Sequence, residues 1–74
     1  MIKMKLTDAE EGEYIISNFL CGRRALDRCI IMGLKIGEPI EVRVNKKGMP
    51  VVIKAKSVYS IGRGLAEKIL VKSK

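Results

Sequence analysis

Histidine is absent from this 74-residue chain, which removes the side chain used most often for acid–base catalysis and for holding divalent transition metals. Proline occurs only twice, and no apolar run approaches the roughly 20 residues that cross a bilayer. The opening Met1-Ile2-Lys3-Met4-Lys5-Leu6 lacks the long apolar stretch of a secretory signal. The expected compartment is therefore the cytoplasm. Two cysteines, Cys21 and Cys29, stand eight residues apart, which is no Cys-x-x-Cys metal pair, and a cytoplasmic chain keeps both reduced. Carboxylates are nearly missing from the second half. Residues 43–74 carry nine basic side chains against Glu67 alone, net +8, while residues 1–42 carry six basic and seven acidic ones, net −1. Such an imbalance steers the protein toward anionic partners: nucleic acid, lipid headgroups or an acidic protein face.

What is present describes one small folded domain over residues 1–74. Hydrophobic residues make up 47% of the chain, too many for a disordered tail. A chain of this length buries only about 60% of the surface it exposes when unfolded, so its core must be economical. Lys3 to Leu6 reads as an edge strand, and Thr7 or Asp8 is placed to cap one helical turn before Gly12. Glu13 to Leu20 alternates as a strand, with Tyr14 and Ile16 on one face and Ile15 and Ser17 on the other. Phe19 breaks the alternation and predicts a bulge near Asn18.

Gly22 to Met32 switches to helical spacing, with Leu26, Cys29 and Ile30 expected on the inner face and Arg23, Arg24, Asp27 and Arg28 outside. Ile31 falls among the polar residues, where packing does not call for it. Cys29 on that inner face is expected to act as a small core hydrophobe, whereas Cys21 stands beside arginines that favour a reactive thiolate. The helix ends at Gly33, a left-handed cap position, and a short joint leads through Leu34 to Gly37 and a strand over Glu38 to Asn45. Asn45-Lys46-Lys47-Gly48 reads as a turn and Pro50 opens the next strand, which runs to Ala55. Lys56-Ser57 reverses the chain into Val58 to Ile61. Gly62-Arg63-Gly64 then reads as a flexible corner before one turn at Leu65 to Lys68 and a last strand, Ile69 to Val71. Five or six short strands interrupted by one helix predict a mainly β chain folded into a small, strongly bent barrel, whose closure removes most exposed edges.

The order of these features resembles the FeoA family, small cytoplasmic accessory proteins of bacterial ferrous iron uptake. The matching residues are Arg28, Gly33, Leu34, Gly37, Gly48, Pro50, Ile61, Ala66, Ile69 and Val71, spread over essentially the whole chain. The resemblance implies an SH3-like barrel related to the C-terminal domain of iron-dependent repressors. It also implies a partner, the FeoB-type membrane GTPase, whose cytoplasmic G domain such proteins modulate at the inner face of the membrane. Self-association into a homo-oligomer is a further expectation, and no cofactor is expected. The chain departs from the family pattern in three places: Cys29 stands where leucine is usual, Met49 where an acidic residue is frequent, and the Lys56-Ser57 hairpin is one residue short and lacks glycine.

Chemistry is sparse. No pair of carboxylates, tyrosines or lysines stands at a catalytic spacing, and Gly62-Arg63-Gly64 lacks the Gly-Lys-Ser/Thr ending of a phosphate loop, so an enzyme is not expected. The resemblance brings an association with transition metals, for which this chain offers only weak donors in Asp8, Glu10, Glu11, Glu13 and Cys21. The leading reading is a noncatalytic adaptor that contacts its partner through Arg23, Arg24, Arg28 and Ile31 on the helix and Lys54 and Lys56 on the hairpin. Gly33, Leu34, Gly37, Gly48 and Pro50 set the scaffold. The alternative is a small basic barrel that binds RNA or DNA, against which stands the inward placement of Tyr14, Phe19 and Tyr59.

Overall fold

In the computed structural model, residues 3–74 are described; Met1 and Ile2 of the opening segment lie outside them. The elements are β1 (Lys3–Lys5), a 3-10 turn (Leu6–Asp8), β2 (Gly12–Phe19), α1 (Arg23–Ile31), β3 (Pro39–Val44), β4 (Val51–Lys54), β5 (Val58–Ile61), α2 (Arg63–Ala66) and β6 (Ile69–Ser73). All neighbouring strands are antiparallel, in the order β1-β6-β2-β3-β4-β5. Period-two alternation supplies the inner layer: Tyr14 and Ile16, Ile40 and Val42, Val51 and Ile53, Ile61, and Ile69 and Val71 are all buried. Leu6 and Ala9 close one part of this layer, and Cys29, Leu34 and Ala66 close the rest. Among the described residues no polar or charged side chain is buried, so the core carries no unpaired group.

Two register shifts bend the sheet. One lies between Ile16 and Asn18 of β2 opposite β6, where the broken alternation at Phe19 predicts it, and the Phe19 amide donates to Asn18 Oδ1 at 2.8 Å. The other lies between Val42 and Val44 of β3 opposite β4, and no sequence signal announces it. This is the mainly β, small barrel-like fold expected, with two differences. The ladder has two ends among the described residues, β1 and β5, so closure does not remove every edge. Leu6 leaves the first strand and opens the 3-10 turn. Neither Thr7 nor Asp8 caps that turn, because both lie inside it and the cap position falls to Lys5.

The helix also differs in one respect from its expected face. Cys29 is fully buried and Leu26 and Met32 are half-buried, but Ile30 is 57% exposed. The helical step of about 100° carries Ile30 off the narrow seam centred on Cys29. Burial pushes the Cys29 thiol above its ordinary pKa, the nearby Cys21 thiol adds to the rise, and Arg28 opposes it. Cys29 is thus the core hydrophobe expected, and Cys21 is half-buried.

The largest correction concerns the corner at Gly62-Arg63-Gly64. Arg63 opens α2, and its guanidinium ties together three separate segments. Its Nη1 donates to Asn45 Oδ1 at 3.0 Å, to the Lys46 carbonyl at 3.0 Å and to the Met49 carbonyl at 2.9 Å, while Nη2 donates to the Thr7 carbonyl at 3.2 Å. Asn45 completes the junction, its amide nitrogen donating to the Thr7 and Ala9 carbonyls at 3.0 and 2.6 Å. The corner that two glycines make look loose is a polar staple.

Two outcomes follow from this packing. Hydrogen bonds to a charged group are worth about 1.5–3 kcal/mol net, and because two of these four are exposed, Arg63→Ala is expected to cost about 2–3 kcal/mol in urea unfolding. Arg63→Lys is expected to recover only a minor part, because an ammonium lacks the planar fork that spans these acceptors; full recovery would show that charge alone suffices. In native protein, iodoacetamide is expected to label Cys21 and spare Cys29 until the chain unfolds, read by peptide mass spectrometry. Equal labelling of both thiols would contradict the burial of Cys29.

Candidate docking surface

The site begins at the joint that follows α1. Gly33 has φ 81°, and its amide donates to the Ile30 carbonyl at 2.9 Å while the Leu34 amide donates to the Cys29 carbonyl at 2.8 Å. This pair of bonds is the Schellman arrangement, in which glycine takes the left-handed position and the following apolar residue packs back on the helix. Leu34 and Cys29 are both fully buried, so the cap and the core contact reinforce each other. A second turn, closed by the Glu38 amide on the Lys35 carbonyl at 3.0 Å, requires φ 91° at Gly37. Gly37 and Glu38 then bond the Ile16 peptide of β2 at 2.8 and 3.0 Å. The end of α1 is therefore clamped to the sheet within seven residues.

This clamp fixes what α1 presents outward. Arg23, Arg24, Arg28 and Ile31 are all exposed, and Ile31 is 84% exposed, the highest value among the large hydrophobic residues outside the core. Arg24 and Arg28 lie one turn apart on this face. Lys56 joins them, since its aliphatic stem passes Gly33, with Cδ 3.8 Å from where a Cβ on that glycine would sit. Lys54 stands elsewhere, opposite Glu41 in the β3–β4 ladder and opposite Val58 in the β4–β5 ladder. Among the described residues the ion pairs are Arg43–Glu41 at 3.2 Å and Lys74–Glu13 at 3.7 Å. The arginines of α1 and the two hairpin lysines enter neither.

Beside the helix lies an open groove of about 540 Å³ between the end of α1 and the β5–α2 corner. Arg28, Ile31 and Met32 form one wall, and Ser60, Ile61, Gly62 and Leu65 form the other. The walls from β5 and α2 are not legible in the sequence, where they read as core strand and corner. The misplaced Ile31 is the one signal that points here. The weak metal donors behave differently. Among the described residues no three acidic or thiol side chains gather where a metal ion could sit, and Glu13 is engaged by Lys74. Asp8, Glu10, Glu11 and Glu13 are exposed, and they lie around a turn, not around a common point.

Known proteins share this architecture. The sequence profile of the FeoA domain family matches residues 4–73. A curated protein of Methanocaldococcus jannaschii named as an Fe(2+) transport protein A is 44% identical over 68 residues, covering 89% of this chain and 82% of that protein. The crystal structure of an iron uptake regulatory protein, FeoA, superposes with a TM-score of 0.87 at 29% identity, covering 96% of this chain and 97% of that one. The manganese regulator SloR gives a TM-score of 0.85 over 96% of this chain and 34% of its own, but at 18% identity that likeness is one of fold alone. No helix among the described residues is long and apolar enough to cross a membrane. With the family profile spanning nearly the whole chain and the fold matching in full, this protein belongs to the FeoA domain family.

Proposed function

We propose that this chain is a noncatalytic accessory protein of ferrous iron transport, docking on the cytoplasmic G domain of a FeoB-type membrane GTPase and modulating it at the inner face of the membrane. Membership of the FeoA domain family gives it the accessory role in ferrous iron transport. The observation that carries the docking reading is the outward face of α1, where Arg24, Arg28 and the 84% exposed Ile31 share one surface with no ion pair among the described residues. An exposed aliphatic among unpaired guanidinium groups suits a protein surface that offers carboxylates around an apolar spot. Arg23 and Lys56 extend this patch, while Lys54 stands apart on β4.

The nucleic-acid reading lacks a stacking platform. Tyr14 is buried, and Phe19 and Tyr59 are half-buried against the core, so the chain presents charge without aromatic faces for bases. Ferrous iron enters as the transporter's cargo, and the docking reading requires no iron ligand on this chain.

Calorimetric titration of the full chain into the isolated G domain tests the proposal. Binding is expected to weaken as salt rises. The double charge reversal Arg24→Glu/Arg28→Glu is expected to lower affinity by about 10- to 100-fold, since each reversal removes one attraction and adds one repulsion of about 1 kcal/mol or less. Lys54→Glu is expected to have a smaller effect. No binding to the G domain, together with tight salt-sensitive binding to RNA, would overturn the adaptor reading.

A further inference from the structure

We propose that the groove beside α1, together with the free edge of β5, receives an extended segment of a partner protein in which acidic and aliphatic side chains alternate, adding a strand to the sheet. The mode of binding stands apart from which protein supplies the segment; only the partner's identity rests on the docking reading above. Three observations converge on it. First, β5 ends the ladder: it pairs with β4 alone, and no backbone hydrogen bond joins Val58–Ile61 to another element among the described residues. Every second residue of such a strand directs its amide and carbonyl away from the sheet, ready for a neighbour.

Second, the two ends of the ladder differ. β1 is Lys3-Met4-Lys5 with both lysines exposed, the usual protection against edge pairing. β5 is Val58-Tyr59-Ser60-Ile61, with no charge and no proline, and Val58 is 56% exposed. Left unprotected, such an edge invites a strand. Third, the residues that carry this edge also line the groove. Ser60, Ile61 and Gly62 face Arg28, Ile31 and Met32 across about 540 Å³, within the roughly 300–1,000 Å³ range of ligand-holding clefts. A segment paired with β5 would place alternate side chains in this apolar cleft. Its other side chains would face outward, toward solvent.

Charge selects the segment. Among the described residues Arg28 is the one charged residue lining the groove and enters no ion pair, and Lys56 passes the same end of α1 beside Gly33. A carboxylate on the incoming segment meets guanidinium and ammonium there, whereas a basic segment meets like charge. Because β5 has only four residues, the backbone contribution is small and the cleft must supply specificity, so the expected affinity is in the range of about 10–500 μM.

The test uses the full chain labelled with nitrogen-15 and two capped probe peptides, (Glu-Val)₃ and (Lys-Val)₃. The acidic peptide is expected to shift the amides of Val58–Gly62, Leu65 and Ile31, and the basic one is expected to leave them in place. Arg28→Glu is expected to weaken acidic-peptide binding at least fivefold without disturbing the fold, since the residue is exposed. Methylating every second backbone nitrogen of the acidic peptide separates strand addition from other modes. One phase of methylation is expected to abolish binding and the other to preserve it. Equal effects of the two phases, or shifts lying outside the groove, or no binding of the acidic peptide at millimolar concentration, would each overturn the proposal.

Discussion

The guanidinium of Arg63 holds the molecule's polar periphery together. Its contacts reach Thr7 after the first strand, Asn45 and Lys46 at the end of β3, and Met49 before β4, segments separated by up to 56 residues in sequence. Three of its four acceptors are backbone carbonyls, and the fourth is the side-chain oxygen of Asn45. The charge is therefore shared among dipoles with no carboxylate partner. A planar fork with several donors can satisfy such scattered acceptors at once, and neither lysine nor glutamine can. The β3–β4 turn, the 3-10 turn and α2 have few buried residues of their own. With Asn45 bridging Thr7 and Ala9, the staple sets where these pieces sit against the core.

The end of α1 is held without charge. The helix α1 places a single fully buried residue, Cys29, in the core. A nine-residue helix with so little buried surface is held less by its own packing than by the way it ends. The Gly33–Leu34 cap locks its last turn, and the Gly37 turn ties the following residues to β2. This explains how the helix can offer arginines and a bare isoleucine to solvent in a fixed direction. Its inner seam needs only a small side chain, so its outer face is free to serve recognition.

Barrels of this kind host many functions, so what distinguishes this chain is the surface built on the fold. The two ends of the ladder embody the difference. Lysines guard β1, while β5 is left bare beside a cleft that Arg28 lines with charge. The position of that cleft follows from the joint, because the Schellman cap fixes how far the end of α1 stands from the β5–α2 corner. Packing, edge chemistry and electrostatics thus meet at one place on the surface.

Much of this was legible in the sequence. Period-two alternation located the strands and placed Tyr14 and Ile16 together on the face that is buried, because a half-buried sheet imposes that pattern residue by residue. Gly33 and Gly37 announced the joint, since only their positive φ fits the two turns there. The isolated Ile31 marked the solvent-facing side of the helix. Other features belonged to the tertiary structure alone. Ile30 left the core because the buried seam of α1 is narrower than its apolar residues suggest. Arg63 between two glycines looked loose because its acceptors lie 14 to 56 residues away. The cleft joins α1 to a strand about 30 residues downstream, and the bare edge of β5 exists only because the ladder stops there. Local periodicity and turn chemistry are written in neighbouring residues. Long-range hydrogen bonds, grooves and sheet edges depend on which segments meet, and only folding brings those segments together.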